Sequence, residues 1–291
     1  MRILCFHGRG SNIQIFQAQT AAIRADLDDF DFDFVQGTVR HTEGNWSLYT
    51  TSFTDQPLYG YYNPISPPSI LQTEEELFEI IERDGPFDGV LGFSGGAGLA
   101  AQLIVRDLFK HPEKQPSERP FRFAIFFNGT TPFNIFRVDE ADVLPEREPA
   151  HDMIAEAHKV LMRSSAVRKK EEISDEDRQG HDTMLSLIDK FETRTLRTGQ
   201  SFISDGTYGI YRYSVADNNG EPLIRIPTLH VRDPGEDEDD VNHGLNLLKI
   251  CDPAFVREFN HTYGHDFPRG RREIKAISQL IRDTAQDSLY I

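Results

Sequence analysis

A serine flanked by glycines stands in the run FDGVLGFSGGAGLAAQLI, where Gly92, Ser94 and Gly96 form a G-x-S-x-G pattern. The pattern lies between an apolar segment typical of a buried strand and a small-residue segment typical of a helix. A tight turn from strand to helix exposes the serine hydroxyl, and it needs small neighbours because strand and helix approach closely. We therefore predict that Ser94 is a nucleophile. The weaker alternative is a glycine-rich turn that serves packing alone.

A second glycine-rich segment, His7-Gly8-Arg9-Gly10-Ser11, follows the first apolar run of the chain. When a serine attacks a carbonyl, backbone N–H groups near it must stabilise the oxyanion that forms. A loop of this kind and the first N–H of a helix commonly supply them, so the backbone N–H groups of Arg9 and Gly95 are the predicted oxyanion hole. A phosphate-binding loop is the rival interpretation, but the lysine of a P-loop and the wider G-x-G-x-x-G spacing are absent.

The serine needs a general base, and the chain has ten histidines. His265, in Tyr-Gly-His-Asp-Phe-Pro, follows the last apparent strand and precedes the final helix, which is the chain order of a Ser-acid-His triad. His261 and His265 also have the spacing of a zinc pair. However, Gly264 and Pro268 disfavour the helix that such a pair requires, and no H-E-x-x-H motif is present. We predict that His265 is the base and expect neither a metal nor a cofactor.

The third member of a triad should be a carboxylate that orients the imidazole, on the loop after the apolar run from Thr228 to Val231. The residues of that loop offer several choices and leave the acid open. The candidates are Asp233, Glu236, Asp237, Glu238, Asp239 and Asp240.

Short apolar runs bounded by Gly, Pro or Asp alternate with amphipathic segments, which is the pattern of parallel strands joined by helical crossovers. The predicted strands are Ile3 to Phe6, Phe32 to Val35, Gly89 to Gly92, Phe123 to Asn128, Thr228 to Val231 and Phe255 to Asn260. The predicted helices are Phe16 to Leu27, Thr73 to Arg83, Gly95 to Phe109, Val241 to Ile250 and Arg271 to Thr284, with a capping box of Thr73 and Glu76 at the start of the second. The order predicts an α/β fold with a mostly parallel, doubly wound sheet.

Two regions break this alternation. Residues 37 to 71 are rich in Tyr, Pro and Ser without a sustained period, and a segment of this length is expected to lie over the functional site. Residues 140 to 205 are mostly helical by pattern, and they are predicted to form a helical cap inserted between the fourth and fifth strands. No linker divides the chain, so we predict one domain over residues 1–291.

The composition excludes several classes of function. The formal net charge is −16, and no basic patch is visible, so nucleic acid and anionic membrane surfaces are not expected partners. The segment MRILCFHGRG is too short in apolar residues for a signal peptide or a membrane span. Cys5 and Cys251 lie in apolar contexts without paired spacing and are predicted to be buried thiols of a reducing compartment. A cytoplasmic location is the expectation.

The motifs taken together resemble a known family. HGRGSN at the amino end, GFSGGAGLA at the turn, IPTLHV before the acidic loop, then LLKICDP and HTYGHDFP occur in order over nearly the whole chain. They resemble the fungal FSH family of serine hydrolases, relatives of the ovarian-cancer-gene-2 hydrolases. The resemblance implies an α/β-hydrolase fold without cofactor and a nucleophile and base at Ser94 and His265. It also implies an esterase or thioesterase acting on a small-molecule acyl ester or thioester, including release of a polyketide chain from an acyl carrier protein of a synthase.

The resemblance also bears on the acid. The family pattern H-V-x-G-x-x-D-P places an Asp some fifteen residues before a C-D-P such as Cys251-Asp252-Pro253, and counting back from Asp252 gives Asp237. Counting forward from Val231 gives Glu236, and matching the D-P letters gives Asp233. We favour Asp237 on this register, with Glu236, Glu238 and Asp233 as alternatives. A non-hydrolytic lyase or cyclisation reaction and a non-catalytic binding protein on the same fold are the competing functional hypotheses.

Overall fold

The computed structural model describes residues 1–41, 56–64, 66–144, 154, 186–236 and 244–290. Twelve strands lie in these ranges: β1 Arg2–Phe6, β2 Asp31–Val35, β3 Val39–Arg40, β4 Tyr59–Gly60, β5 Gly89–Phe93, β6 Phe123–Phe127, β7 Phe133–Arg137, β8 Glu192–Thr195, β9 Ser201–Ser204, β10 Tyr208–Arg212, β11 Thr228–Arg232 and β12 Val256–Asn260. The α-helices bounded in these ranges are α1 Ile13–Asp26, α2 Pro67–Asp84, α3 Gly95–Lys110, α4 Leu245–Lys249 and α5 Arg271–Asp287.

Six of the strands form one parallel sheet in the order β12-β11-β6-β5-β1-β2. Alternate residues of each strand point to opposite faces, so Leu4 and Phe6 pack in one apolar cluster and Ile3 and Cys5 in another. Helices α2 and α3 contribute to the first cluster, and α1 and α5 contribute to the second. The sheet is therefore covered by helices on both faces, which confirms the predicted α/β class and its doubly wound parallel sheet.

The helices begin at residues with clear capping roles. Asn12 caps α1 through its side-chain oxygen, which accepts from the N–H of Ile15. Ser66 caps α2 in the same way, and Pro67 occupies its first position. The predicted start of this helix at Thr73 is wrong. Thr73 lies inside α2, where its single hydroxyl proton is shared between the carbonyl oxygens of Ser69 and Tyr61, each at 2.9 Å, so its side chain does not cap the helix.

A second sheet of four antiparallel strands, β7-β10-β9-β8, lies between β6 and β11 in the chain. The sequence patterns predict none of these four strands. Part of the region predicted to be helical, residues 192–195, forms β8 instead. The described remainder of the predicted cap includes a short helical stretch at 186–188 and strand β9. The cap boundaries of 140–205 and the single domain over 1–291 stay predictions.

The segment predicted to lie over the site is attached to the loop that follows β1. Strands β3 and β4 pair with each other, Val39 opposite Gly60 and Arg40 opposite Tyr59. Tyr59 in turn pairs with Ser11, which follows β1. Residues 42–55 and 65 lie outside the described residues.

Cys5 and Cys251 are both buried thiols, as predicted. Among the helices of the described residues, none combines the length and the apolar composition needed to cross a bilayer.

Candidate active site

The order of the parallel sheet brings the chemical groups together at one edge. From β1 the chain passes outward to β2 on one side, and from β5 it continues through β6, β11 and β12 on the other. The carboxyl ends of β1 and β5 therefore lie side by side at the point where the winding direction reverses, which is where open α/β sheets form their sites. The loop containing Arg9 follows β1, and Ser94 follows β5.

Ser94 occupies a strained turn between β5 and α3. Its backbone angles are φ 53° and ψ −120°, a conformation that residues other than glycine rarely adopt. The surrounding backbone holds it there: its N–H donates to the carbonyl of Phe127 at 2.9 Å, and its own carbonyl accepts from the N–H groups of Ala97, Gly98 and Thr130. Strain of this kind persists only where neighbouring bonds over-determine the conformation, and it is concentrated at functional sites.

The two outer glycines of the motif permit the close approach of strand and helix. A Cβ on Gly92 would lie 2.5 Å from the backbone of Ala97 in α3. A Cβ on Gly96 would lie 2.4 Å from the carbonyl oxygens of Phe6 and His7 at the end of β1. Any side chain at either position would force α3 away from the sheet, and the turn at Ser94 would change with it.

His265 reaches the serine from the loop between β12 and α5. Its Nε2 lies 2.8 Å from the Oγ of Ser94, which is hydrogen-bonding distance between residues 171 positions apart. Its ring packs 5.1 Å from the ring of Phe93. The loop is anchored by Phe267, which is buried against Phe93 and Phe127 with ring centroids 4.9 Å and 4.6 Å apart. The structure therefore brings together the serine and the histidine that the motifs singled out.

Asn128 is a site residue that the sequence patterns predict only as the end of a strand. It is fully buried with φ 43°, and its side-chain amide donates to the carbonyl of Asp266 at 3.0 Å. Because Asp266 follows His265 directly, this bond fixes the backbone beside the imidazole. The available signal was an asparagine at a strand end, since asparagine tolerates a left-handed backbone better than most residues.

The acidic loop after β11 is described only in part. Asp233 is described: its carboxylate accepts from the N–H of Gly264 at 2.7 Å and from that of Gly235 at 2.9 Å. Although burial opposes the change, these two bonds hold the pKa of Asp233 below its usual value. Asp233 thus anchors the histidine loop through the residue before His265. The favoured acid Asp237 lies outside the described residues, as do Glu238, Asp239, Asp240 and the side chain of Glu236.

The predicted oxyanion donors are neighbours in space. The backbone nitrogen of Arg9 lies 3.7 Å from the position that a Cβ on Gly95 would occupy. Gly95 is the first residue of α3, so its N–H belongs to the turn that has no acceptor within the helix. The loop after Arg9 is held by the N–H groups of Gly10 and Ser11, which both donate to the carbonyl of Tyr59.

A metal pair at His261 finds little support in this geometry. The Nδ1 of His261 accepts from the N–H of Tyr263 at 3.2 Å, and residues 261–265 form a loop rather than the helix that a zinc pair of this spacing requires. The residues around Ser94 and His265 are instead arranged for proton transfer from a hydroxyl to an imidazole.

A parallel sheet covered by helices on both faces, with a serine on a strained turn after β5 and a histidine from the last loop, is the α/β-hydrolase fold. The model of the family described as Serine hydrolase (FSH1) matches residues 1–277. The chain therefore belongs to the FSH1 serine hydrolase family, which confirms the resemblance seen in the motifs.

Curated relatives agree with this assignment. Esterase FPY3 of Fusarium mangiferae is 40% identical over 92% of this chain and 89% of its own. Hydrolase FUB4 of Fusarium oxysporum f. sp. lycopersici is 25% identical over 98% of both chains, and Esterase alnB of Emericella nidulans is 26% identical over 94% of this chain and 93% of its own. The protein is a hydrolytic enzyme of the esterase type.

Proposed function

We propose that Ser94 and His265 hydrolyse a small-molecule ester or thioester through an acyl-enzyme. The observation that carries the proposal is the 2.8 Å separation of Ser94 Oγ and His265 Nε2 on a strained turn. His265 takes the hydroxyl proton as Ser94 attacks the carbonyl carbon, and the same proton then passes to the leaving alcohol or thiol. Water, activated by His265, releases the acid and regenerates the serine.

The oxyanion of each tetrahedral intermediate is bound by the backbone N–H groups of Arg9 and Gly95. Their proximity supports this assignment, and removal of one such donor in other hydrolases lowers kcat by about 10²- to 10³-fold. Asp237 completes the proposed triad by orienting the imidazole of His265. The carboxylate of Asp233 already accepts hydrogen bonds from the backbone N–H groups of Gly264 and Gly235 and so anchors the histidine loop. These contacts favour a carboxylate later in the loop as the triad acid.

The substrate class we propose is an acyl chain of medium or large size, including a polyketide carried as a thioester on an acyl carrier protein. The motif resemblance supports this class. We propose a cytoplasmic location, where the enzyme would have access to a thioester carried on an acyl carrier protein. A panel of p-nitrophenyl esters and acyl thioesters of increasing length tests the substrate class, and a strict preference for acetyl esters contradicts it.

Covalent labelling by a fluorophosphonate tests the nucleophile. The wild-type enzyme and a Ser278→Ala control, which alters a buried serine on α5, are expected to be labelled, whereas Ser94→Ala is not. An unlabelled wild-type enzyme, or equal labelling of Ser94→Ala, would refute the assignment. Mass spectrometry of the enzyme with a slow ester substrate separates hydrolysis from a lyase or cyclisation reaction, because only the acyl-enzyme route adds the mass of the acyl group to Ser94.

A further inference from the structure

His7 is a fully buried histidine in the loop that contains Arg9, and the proposed mechanism assigns it no task. Both of its ring nitrogens form hydrogen bonds. Its Nε2 receives the backbone N–H of Gly37 at 3.0 Å and also lies 3.3 Å from the side-chain amide nitrogen of Gln36. Its Nδ1 lies 2.8 Å from the carbonyl oxygen of Gly8.

These contacts define one protonation state of the ring. A backbone N–H can only donate, so the Nε2 that faces Gly37 must carry a lone pair. A carbonyl oxygen can only accept, so the Nδ1 that faces Gly8 must carry the proton. Burial also lowers the pKa of His7 to about 4, against the opposing effect of the Gly8 carbonyl, so the ring is neutral at physiological pH.

The bond to Gly8 determines where the next N–H points. In a trans peptide the carbonyl of one residue and the N–H of the next point in opposite directions from a rigid plane. When the Nδ1–H of His7 holds the Gly8 carbonyl against the buried ring, the N–H of Arg9 is turned away from the ring. The Arg9 nitrogen lies 3.7 Å from the position of a Cβ on Gly95, the first residue of α3, and a Cβ on Gly8 would lie 3.4 Å from the Cβ of Ser94, so this loop passes directly beside the nucleophile.

We propose that His7 is a positioning residue, which aims the Arg9 N–H at the oxyanion by holding the Gly8 carbonyl. The inference rests on the proposed function, because it needs an oxyanion to form at Ser94. Tyr61 holds both the ring and the backbone of His7. The His7 ring packs 4.7 Å from the ring of Tyr61, whose hydroxyl accepts from the His7 N–H at 2.9 Å and donates to the carbonyl of Val35 at 2.8 Å.

Two substitutions separate this role from simple packing. His7→Leu keeps a similar volume but removes the donor, and we expect kcat to decrease by about 10- to 100-fold with KM little changed, since the oxyanion exists only in the transition state and intermediates. His7→Asn places an amide N–H near the original Nδ1 and is expected to recover most of kcat. A role in packing alone would not distinguish the two variants in this way.

His230→Leu is the matched control, because His230 is also buried and has no hydrogen-bond partner on either ring nitrogen within the described residues. It is expected to keep kcat within about 2-fold of wild type, and circular dichroism confirms that each variant is folded. If wild type hydrolyses esters and folded His7→Leu retains full kcat, His7 has no positioning role while the proposed function stands. If a fluorophosphonate does not label wild type, the proposed function itself fails.

A measurement on the wild-type enzyme decides the case even if neither variant folds. Long-range ¹H–¹⁵N correlation NMR of ¹⁵N-histidine-labelled protein distinguishes the two neutral tautomers at neutral pH. We expect His7 to be neutral with its proton on Nδ1. A proton on Nε2, or on both nitrogens, would overturn the proposal, because Nδ1 could then not donate to Gly8 or Nε2 could not accept from Gly37.

Discussion

Replacing Gly96 by alanine is expected to destabilise the enzyme, although glycine to alanine usually stabilises a helix. The added Cβ would lie 2.4 Å from the carbonyl oxygens of both Phe6 and His7, about 1 Å inside the 3.4 Å at which ordinary contact begins. Both obstacles are backbone atoms of the strand end and loop that precede Arg9, the proposed oxyanion donor. Neither can rotate away, so helix α3 itself must move.

The neighbouring position supplies an internal comparison. A Cβ on Gly95 would meet the Cβ and nitrogen of Arg9 only at 3.7 Å, an ordinary contact distance. Overpacking of a buried site costs about 1–3 kcal/mol, and two rigid obstacles place Gly96→Ala near 3 kcal/mol. We expect Gly95→Ala to change the free energy of unfolding by less than about 1 kcal/mol.

Urea and thermal unfolding of the two variants, followed by far-UV circular dichroism, measure the difference. An unfolding entropy of about 2.1 cal/mol/K per residue gives a Tm shift of about 1.6 °C per kcal/mol for 291 residues, so Gly96→Ala is expected to unfold roughly 3–5 °C below Gly95→Ala. Its kcat should also decrease, because displacing α3 separates Ser94 from Arg9. Equal unfolding midpoints for the two variants would refute the argument that the contact between α3 and β1 requires glycine at position 96.

Two further predictions concern the pH dependence of stability and the identity of the triad acid. The free energy of unfolding is expected to decrease as the pH falls from about 6.5 towards 4. Burial lowers the pKa of His7 to about 4 and that of His230 to about 3, so in this range protons bind to the unfolded chain more readily than to the folded protein. Urea unfolding midpoints measured across this pH range test the prediction. The His230→Leu variant should show a weaker pH dependence of stability, and a wild-type stability that does not change with pH would contradict the prediction. Asp237→Asn is expected to lower kcat by about 10⁴-fold in steady-state kinetics if Asp237 orients His265. Asp233→Asn should instead mainly lower the free energy of unfolding, by about 1 kcal/mol. The opposite pattern would make Asp233 the triad acid.

The parallel sheet and its helices could be predicted because their signals are local. Apolar runs such as Phe123–Phe127 are buried on both faces, and the glycines around Ser94 mark the tight turn after β5. The start of α2 was missed because Pro67 and Pro68 were read as part of an irregular segment, although proline is favoured in the first turn of a helix.

The antiparallel sheet could not be predicted in the same way. Its strands are short and only partly buried, and β8 consists of Glu192-Thr193-Arg194-Thr195, whose charged residues also suit an exposed helix. Pairing between distant segments, such as β7 with β10, stabilises these strands, and no local pattern records it.

The candidate site was predictable in its chemical groups but not in its supports. Ser94 and His265 carry motif signals, whereas Asn128 and His7 act through backbone carbonyls of other residues. The type of a residue does not show which backbone carbonyl its side chain will bond to in the fold. The acid stayed ambiguous because six carboxylates share one loop, and spacing alone does not rank them.

The attachment of residues 37 to 61 to the end of β1 has a consequence for engineering. Gly37 bonds to His7 at one end of the segment, and Tyr59 and Tyr61 bond to the same loop at the other. Substitutions at Gly37, Tyr59 or Tyr61 would therefore loosen the loop that contains His7 and Arg9, so these three positions should stay unchanged in any library of variants.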